Sequence, residues 1–484
     1  MGNEYQIFVG GKFKTTQQKH VVKAPFDGAE VGATYLAGEA EIEEAAQAAV
    51  DSFEITKKLA PFERASILEK ISNEIDSRKE EIANVLAREA GKPIAAARIE
   101  LERSVFTFRY AAEESKRIHG EIIPLDVHPL AAGRASYVKR FPIGPVLGIS
   151  PFNFPLNLVA HKVAPAIAAG CPIVIKPASQ TPLTALMLAE IVKNSGWPQG
   201  AFSVVPCKPA VAEKMARDER FKLLTFTGSP VVGWHLKGIA GKKKVALELG
   251  GNAGVIVHSD ADLEYAATRI ALGGFGYSGQ TCISVQRVLV HQPVYEKFKA
   301  IFIEKVKALK TGDPLDESTD VGPVISKGDV ERLNEWVDEA VRGGAKIICG
   351  GGSEGAVSEG AVSEGSIMQP TVLESATPEM KVNCLEVFGP IVTVAPYEDI
   401  YQAIGQIDAS EYGLQAGLFT NDLKAAFAAW ERLEVGGVII GDVPTFRIDH
   451  MPYGGVKSSG LGREGIKYAI EEMTELRNLV INLL

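Results

Sequence analysis

Four stretches of the chain concentrate residues able to carry chemistry. In Gly279-Gln280-Thr281-Cys282, preceded by GGFGYS, a thiol stands in a glycine-rich turn, which makes Cys282 a candidate nucleophile. Most cysteines are small buried hydrophobes, and no His lies beside this one in sequence, so residue type alone leaves both readings open. Glu248-Leu249-Gly250-Gly251-Asn252 ends an apolar run with a carboxylate followed by glycines, a setting for a general base. Pro151-Phe152-Asn153-Phe154-Pro155 brackets an amide between prolines. Asn153 reads either as a donor to a developing oxyanion or as the cap of the helix that follows. Last, two strand ends stand together: Ile175-Lys176-Pro177-Ala178-Ser179 finishes on a cation, and Phe226-Thr227-Gly228-Ser229-Pro230 turns a strand into a helix. Ser229 suits the N-cap of that helix and Pro230 its first position, so backbone N–H groups would face the carboxyl edge of a parallel sheet.

The elements that must hold these stretches alternate strand and helix. Short apolar runs at 146–149, 173–175, 202–205, 223–226 and 245–249 are separated by helical patterns at 156–168, 182–195, 208–217 and 230–239. This spacing predicts parallel βαβ units with both sheet faces covered. A second alternating section follows, with strands near 254–257, 286–290, 346–349, 391–394, 415–419 and 437–440 and helices near 261–274, 293–309, 327–342, 397–408 and 421–433. Upstream, residues 5–36 read as small strands and 51–117 as several helices, while 121–140 is polar and extended. Residues 352–366 carry GAVSE twice in succession and are read as a tolerated insertion in an exposed loop, with no catalytic role.

Composition narrows the class. A chain of 484 residues with 46% hydrophobic and 23% charged residues supports more than one domain and a large core. With 51 basic against 60 acidic side chains, the net charge of −9 gives no reason to expect nucleic acid as a partner. Five cysteines form no CxxC and none lies near a His at zinc spacing, so no metal is expected and a reducing, cytoplasmic setting is. The longest uncharged run, 141–160, contains four prolines, which excludes it as a lipid-exposed helix, and no membrane association is expected. No GxGxxG or GxxxxGK[ST] follows the strands that end at Lys176 or Thr227.

Taken together, PFNFP, IVIKPA, FTGSPVVG, LELGGN, GQTC, EVFGP and PYGGVKSSGLGREG, in this order over nearly the whole chain, resemble the aldehyde dehydrogenase superfamily. That resemblance implies an α/β protein of the aldehyde dehydrogenase fold. A Rossmann-like cofactor domain would occupy 1–120 and 141–250, an α/β catalytic domain 251–465, and a small β oligomerisation arm 121–140 and 466–484. It implies a homodimer or a dimer of dimers. Carried over residue by residue, it makes Cys282 the thiolate that attacks a small-molecule aldehyde. Asn153, with the Cys282 backbone N–H, would stabilise the oxyanion, and Glu248 would activate the water that hydrolyses the thioester. Glu386 and Phe388 in EVFGP resemble the residues holding the nicotinamide ribose and ring, Lys176 the lysine at the adenosine ribose, and Ser229, with Gly228 and Gly233 in the same turn and helix, the pyrophosphate contact.

Two departures refine the expectation. NAD-preferring relatives usually place Glu where this chain has Ser179; without that carboxylate a 2′-phosphate meets no repulsion and Lys176 remains nearby, so NADP is expected as cofactor, with dual use of NADP and NAD as the main rival. Pro230 replaces a usual Thr, with no functional account. The segment Thr445-Phe446-Arg447-Ile448-Asp449-His450 resembles the lactaldehyde, succinate-semialdehyde and phosphonoacetaldehyde subset. It makes Arg447 a candidate ligand for a polar or anionic tail, against an alternative salt bridge to Asp449 or a contact that orders this loop. Arg103 and Arg109 are further candidates, but six residues apart on a helix they do not share a face. The leading activity is aldehyde oxidation to the free acid. Its rivals are a CoA-acylating enzyme, in which Glu248 would have no obvious role, and a catalytically silent relative, which would require loss of Cys282 or Glu248.

Overall fold

The structure, a computed structural model, describes residues 3–351 and 366–482, so the GAVSE repeat lies outside the described residues. Two sheets organise the chain. In the first, the parallel strands Val146–Ile149, Ile173–Lys176, Phe202–Val204, Leu223–Thr227 and Lys244–Glu248 are ordered 244-223-146-173-202. Their order reverses between Val146–Ile149 and Leu223–Thr227. That switch opens a crevice at the carboxyl ends of the strands, where ligands of open α/β sheets bind. The connecting helices Asn157–Ala169, Leu183–Asn194, Pro209–Arg217 and Pro230–Ile239 lie within a residue of the ranges read from the sequence. Asn157–Ala169 is buried along its whole length, because Pro61–Ser77 and Ile94–Ser115 pack against it from outside the sheet, while Glu39–Thr56 covers the opposite face.

The second sheet is parallel except for one edge, in the order 346-371-391-285-253-415-437. It contains the strand Thr371–Glu374, four residues beyond those expected from the sequence. The first sheet ends on Glu248 and the second begins at Ala253. Gly250 and Gly251 therefore join the carboxyl edge of one sheet to the amino edge of the other, and the loop carrying Cys282 enters the same seam just before Val285–His291.

Two C-terminal segments fall differently from expectation. Gly460–Leu461, expected with the second unit, pairs antiparallel with Leu247 and Glu248 in the first sheet. Ile466–Glu472, expected in the arm, is a helix packed on Asn157–Ala169. The arm is a three-stranded sheet of Glu121–Pro124, Arg134–Pro142 and Thr474–Asn482, the last two paired along their full length from Thr474↔Pro142 to Asn482↔Arg134.

Candidate active site

A strained turn delivers Cys282. Tyr277, Ser278 and Gly279 all have positive φ, at 51°, 56° and 68°. Two non-glycine residues in that region cost energy that the surroundings must offset. The Tyr277 hydroxyl donates to Ala90 O at 3.0 Å, Ser278 Oγ to Gly322 O at 2.5 Å, and the Ile325 N–H donates to Gln280 Oε1 at 2.8 Å. A Cβ at Gly279 would overlap the Gly389 carbonyl, and one at Gly251 the Cys282 carbonyl, so both glycines are required by close backbone approach.

Asn153 is tied to this turn from the first sheet. Its Nδ2 donates to Gln280 O at 2.9 Å while its buried Oδ1 has no partner. It does not cap the following helix; Glu100 does that, its Oε1 accepting from the N–H groups of Leu156 and Asn157 at 3.0 and 3.1 Å. Glu100 is itself neutralised by the buried Lys92, which lies 3.7 Å from the Phe154 ring centroid. The PFNFP segment is thus fixed at both ends before any ligand arrives.

Asn153, Glu248 and Cys282 line one cavity of about 660 Å³. Burial pushes the Cys282 thiol up to about 12, a tendency opposed by a Tyr453 hydroxyl 3.0 Å from Sγ and by Arg447, and reinforced by Glu386 and Glu248. Without ligand the sulfur is therefore a thiol at neutral pH. Burial, and then the neighbouring Glu464 carboxylate, hold Glu248 well above the usual carboxylate range, against the pull of Arg447 and Lys162; its Oε2 has no partner. A carboxyl group raised this way is suited to exchanging a proton near neutral pH.

On the crevice side the cavity is lined by Phe152, Gly228, Ser229, Val231, Glu386 and Phe388. Glu386 accepts from the Gly251 N–H at 2.9 Å, and burial raises its carboxyl to about 7. Phe388, at φ 49°, stands edge-on to Phe152 with centroids 5.8 Å apart. Ser229 precedes Pro230 at the helix start as expected, but its hydroxyl makes no capping bond. Gly233 serves packing: a Cβ there would overlap the Leu249 side chain. Lys176 and Ser179 lie outside this cavity, at the end of the strand Ile173–Lys176 and in the loop after it. Among the described residues Lys176 forms no ion pair, and burial draws its pKa down. The Ser179 carbonyl lies 2.8 Å from His20 Nε2. An uncapped helix start, a half-buried ammonium without a counter-ion and a carboxylate near the mouth fit a dinucleotide with its phosphates and ribose hydroxyls.

The opposite wall carries the arginines. Arg447 lies 3.6 Å from the Tyr453 ring centroid and donates through Nη2 to Glu464 Oε2 at 3.0 Å, while its buried Nε has no partner. The alternative bridge to Asp449 is not made. Asp449 instead accepts two bonds from Arg103, at 2.6 and 3.1 Å, one from Asn157 at 3.2 Å and one from His161 Nε2 at 2.8 Å. Burial and the Arg447 charge lower the His161 pKa, so the ring is neutral at pH 7 and the balancing charge on Asp449 is Arg103. Glu464, despite burial, is held at about 2 by the Lys162 and Arg447 cations. Arg103 faces the cavity over Phe154. Arg109 does not: it is exposed on the helix Ile94–Ser115 and is set aside as a ligand.

Sequence reasoning missed Tyr453, Asp449, His161, Lys162 and Glu464 as members of the site. One signal was present: His161 and Lys162 interrupt the otherwise apolar NLVAHKVAPAIAA, and a charged residue inside a buried helix demands a partner.

Fold and cavity together define an α/β protein in which a thiol lines a crevice fit for a dinucleotide. The description "Aldehyde dehydrogenase family" matches residues 13–479. The chain is 44% identical over 481 residues to a 3-sulfolactaldehyde dehydrogenase of Priestia aryabhattai, covering 99% of this chain and 98% of that protein. Among solved structures it resembles aldehyde dehydrogenase 21 of Physcomitrella patens in complex with the reaction product succinate, with TM-score 0.96, 45% identity and coverage of 100% and 99%. It also resembles glyceraldehyde-3-phosphate dehydrogenase GapN of Methanocaldococcus jannaschii complexed with NADP, with TM-score 0.91, 39% identity and coverage of 96% and 100%. The chain belongs to the aldehyde dehydrogenase family, and it is an NAD(P)-dependent enzyme that oxidises an aldehyde to a carboxylic acid. Among the described residues no helix is long and apolar enough to cross a membrane.

Proposed function

We propose that Cys282, Asn153 and Glu248 carry the reaction, and that the substrate is a small aldehyde with an anionic tail. The observation behind the first part is that three side chains from separate segments converge on one cavity. Cys282 Sγ adds to the aldehyde carbon, and the carbonyl oxygen becomes an oxyanion held by Asn153 Nδ2 and the Cys282 backbone N–H. Bound nicotinamide supplies the acceptor for the hydride leaving that carbon. Glu248 takes a proton from the water that cleaves the resulting thioester, releasing the acid and the Cys282 thiol. Glu386 and Phe388 hold the nicotinamide ribose and ring, while Gly228, Ser229 and Gly233 shape the pyrophosphate turn. Lys176 beside Ser179 admits a 2′-phosphate, so NADP is used. A raised Glu248 carboxyl favours water over CoA as the second nucleophile.

Arg103 and Arg447 on the wall opposite the cofactor support the anionic tail. The relatives named for sulfolactaldehyde and for a succinate complex are consistent with this reading. Among the described residues the strand Thr474–Asn482 is outermost in its sheet and exposes Leu476 and Leu479 at 56% and 59%, which supports a homodimer or a dimer of dimers. Five unpaired cysteines support a cytoplasmic setting. The test is Cys282→Ala assayed with NADP and a panel of aldehydes: dehydrogenation should vanish while NADP binding persists, and the wild type should favour anionic over neutral aldehydes. Residual turnover in the variant would overturn the assignment.

A further inference from the structure

We propose that Tyr453 is a further catalytic residue, whose phenolic O–H donates to Cys282 Sγ and stabilises the thiolate that attacks the aldehyde. The proposal rests on Cys282 as nucleophile, which the Cys282→Ala assay decides separately. The two atoms are 3.0 Å apart and Tyr453 is 3% exposed, so no water competes freely for the contact. The backbone of Tyr453 is locked by a reciprocal pair of bonds with Glu464, its N–H donating at 3.0 Å and its carbonyl accepting at 2.6 Å. Its ring lies under the Arg447 guanidinium, which Glu464 also pins. The phenol is therefore held at its backbone and on its ring face, and its hydroxyl meets the sulfur.

Chemistry fixes the direction of the bond. While Cys282 is a thiol, either atom can donate; once the thiol proton has left for solvent, sulfur is only an acceptor and the tyrosine must donate. A hydrogen bond to a charged acceptor is about twice as strong as one between neutral groups, so the contact favours the ionised sulfur. The cation on the ring face draws density from the phenolic oxygen and strengthens its O–H as a donor. The charges acting on the sulfur are Glu386 and Glu248, which oppose the thiolate, and Arg447, which favours it. Tyr453 adds an uncharged donor, and burial keeps its own proton in place.

Tyr453→Phe removes only the hydroxyl and leaves a ring for Arg447 to cover. The experiment is the rate of iodoacetamide alkylation at Cys282, followed by mass spectrometry of its peptide in cofactor-free enzyme from about pH 7 to 9. Loss of a bond to a charged group should lower the thiolate fraction about tenfold. The more basic sulfur is more nucleophilic, so the observed rate should fall roughly threefold or more at every pH. A merely structural role would lower turnover and leave this line in place; coincident or faster alkylation in the variant overturns the proposal. Should the Phe variant not fold, replacement of tyrosine by 3-fluorotyrosine makes the phenol more acidic with little change in packing. Alkylation should then accelerate, and an unchanged rate overturns the proposal.

Discussion

The two ends of the site hold their charges in opposite ways. On the wall around Cys282, the described cations are answered by anions within the protein: Arg447 and Lys162 by Glu464, Arg103 by Asp449. At the end proposed for the adenosine, Lys176 forms no ion pair among the described residues, the Ser229 hydroxyl leaves its helix uncapped, and Ser179 is held through its backbone carbonyl. The paired end is preorganised, so it costs no reorganisation when charge develops on the aldehyde. The unpaired end leaves its countercharge to be supplied by a ligand that binds and leaves intact. A residue removed from the first end should therefore damage stability and chemistry together. One removed from the second should change only which cofactor binds.

The largest effect of that difference is expected at Arg447. Arg447→Met leaves the buried Glu464 with Lys162 alone, and breaking a buried pair costs about 3 kcal/mol or more in urea unfolding. The same variant should lose more kcat/KM with anionic aldehydes than with neutral ones; equal losses would confine Arg447 to a structural role. At the other end, Ser179→Glu should leave urea stability nearly unchanged and shift preference from NADP toward NAD by about tenfold, or about 1.4 kcal/mol. Lys176→Ala should weaken NADP more than NAD if its ammonium faces the 2′-phosphate, and both equally if it meets only the ribose. A destabilised Lys176→Ala would break the contrast between the two ends.

A smaller effect is expected at Glu386, on the boundary. Its folded pKa of about 7 lies above the ordinary 4.5, so between those values the folded chain holds a proton that the unfolded chain has lost. Stability should fall as pH rises through that window and level off above it. NADP affinity should rise over the same range, because ionised Glu386 accepts the ribose hydroxyls. Glu386→Gln should remove the affinity trend and part of the stability trend. The remainder belongs to Glu248, whose carboxyl burial also holds well above the usual range, and to Glu89, raised to about 7 by burial while it accepts from the N–H groups of Leu183 and Thr184.

What the sequence made legible follows the same division. Local devices were readable: the strand ending on Glu248, the helix Pro230–Ile239 with Pro at its first position, and the glycine-rich turn before Cys282 each depend on neighbours in sequence. Arg103 was readable as a candidate, but its partner Asp449 lies 346 residues away, and periodicity carries no information about such a pair. The alternative Arg447–Asp449 bridge is not made for the same reason: the partners of Arg447 (Glu464, His161 and the Tyr453 ring) are set by the tertiary fold. Thr371–Glu374 escaped although buried strands of the same length were read; its place is set by pairing with Ile391–Tyr397 and Lys346–Cys349, which periodicity does not carry.

The central claim is that Cys282 forms a covalent acyl intermediate that Glu248 clears. Rapid mixing of Glu248→Gln with NADP and an anionic aldehyde tests it most directly, with reduced cofactor read by absorbance and the acyl group by mass spectrometry of the quenched protein. The account predicts a stoichiometric burst of reduced cofactor, slow steady-state release of acid, and an acyl mass on the Cys282 peptide. A variant that binds NADP yet shows no burst, or an acyl group on any other residue, would contradict it.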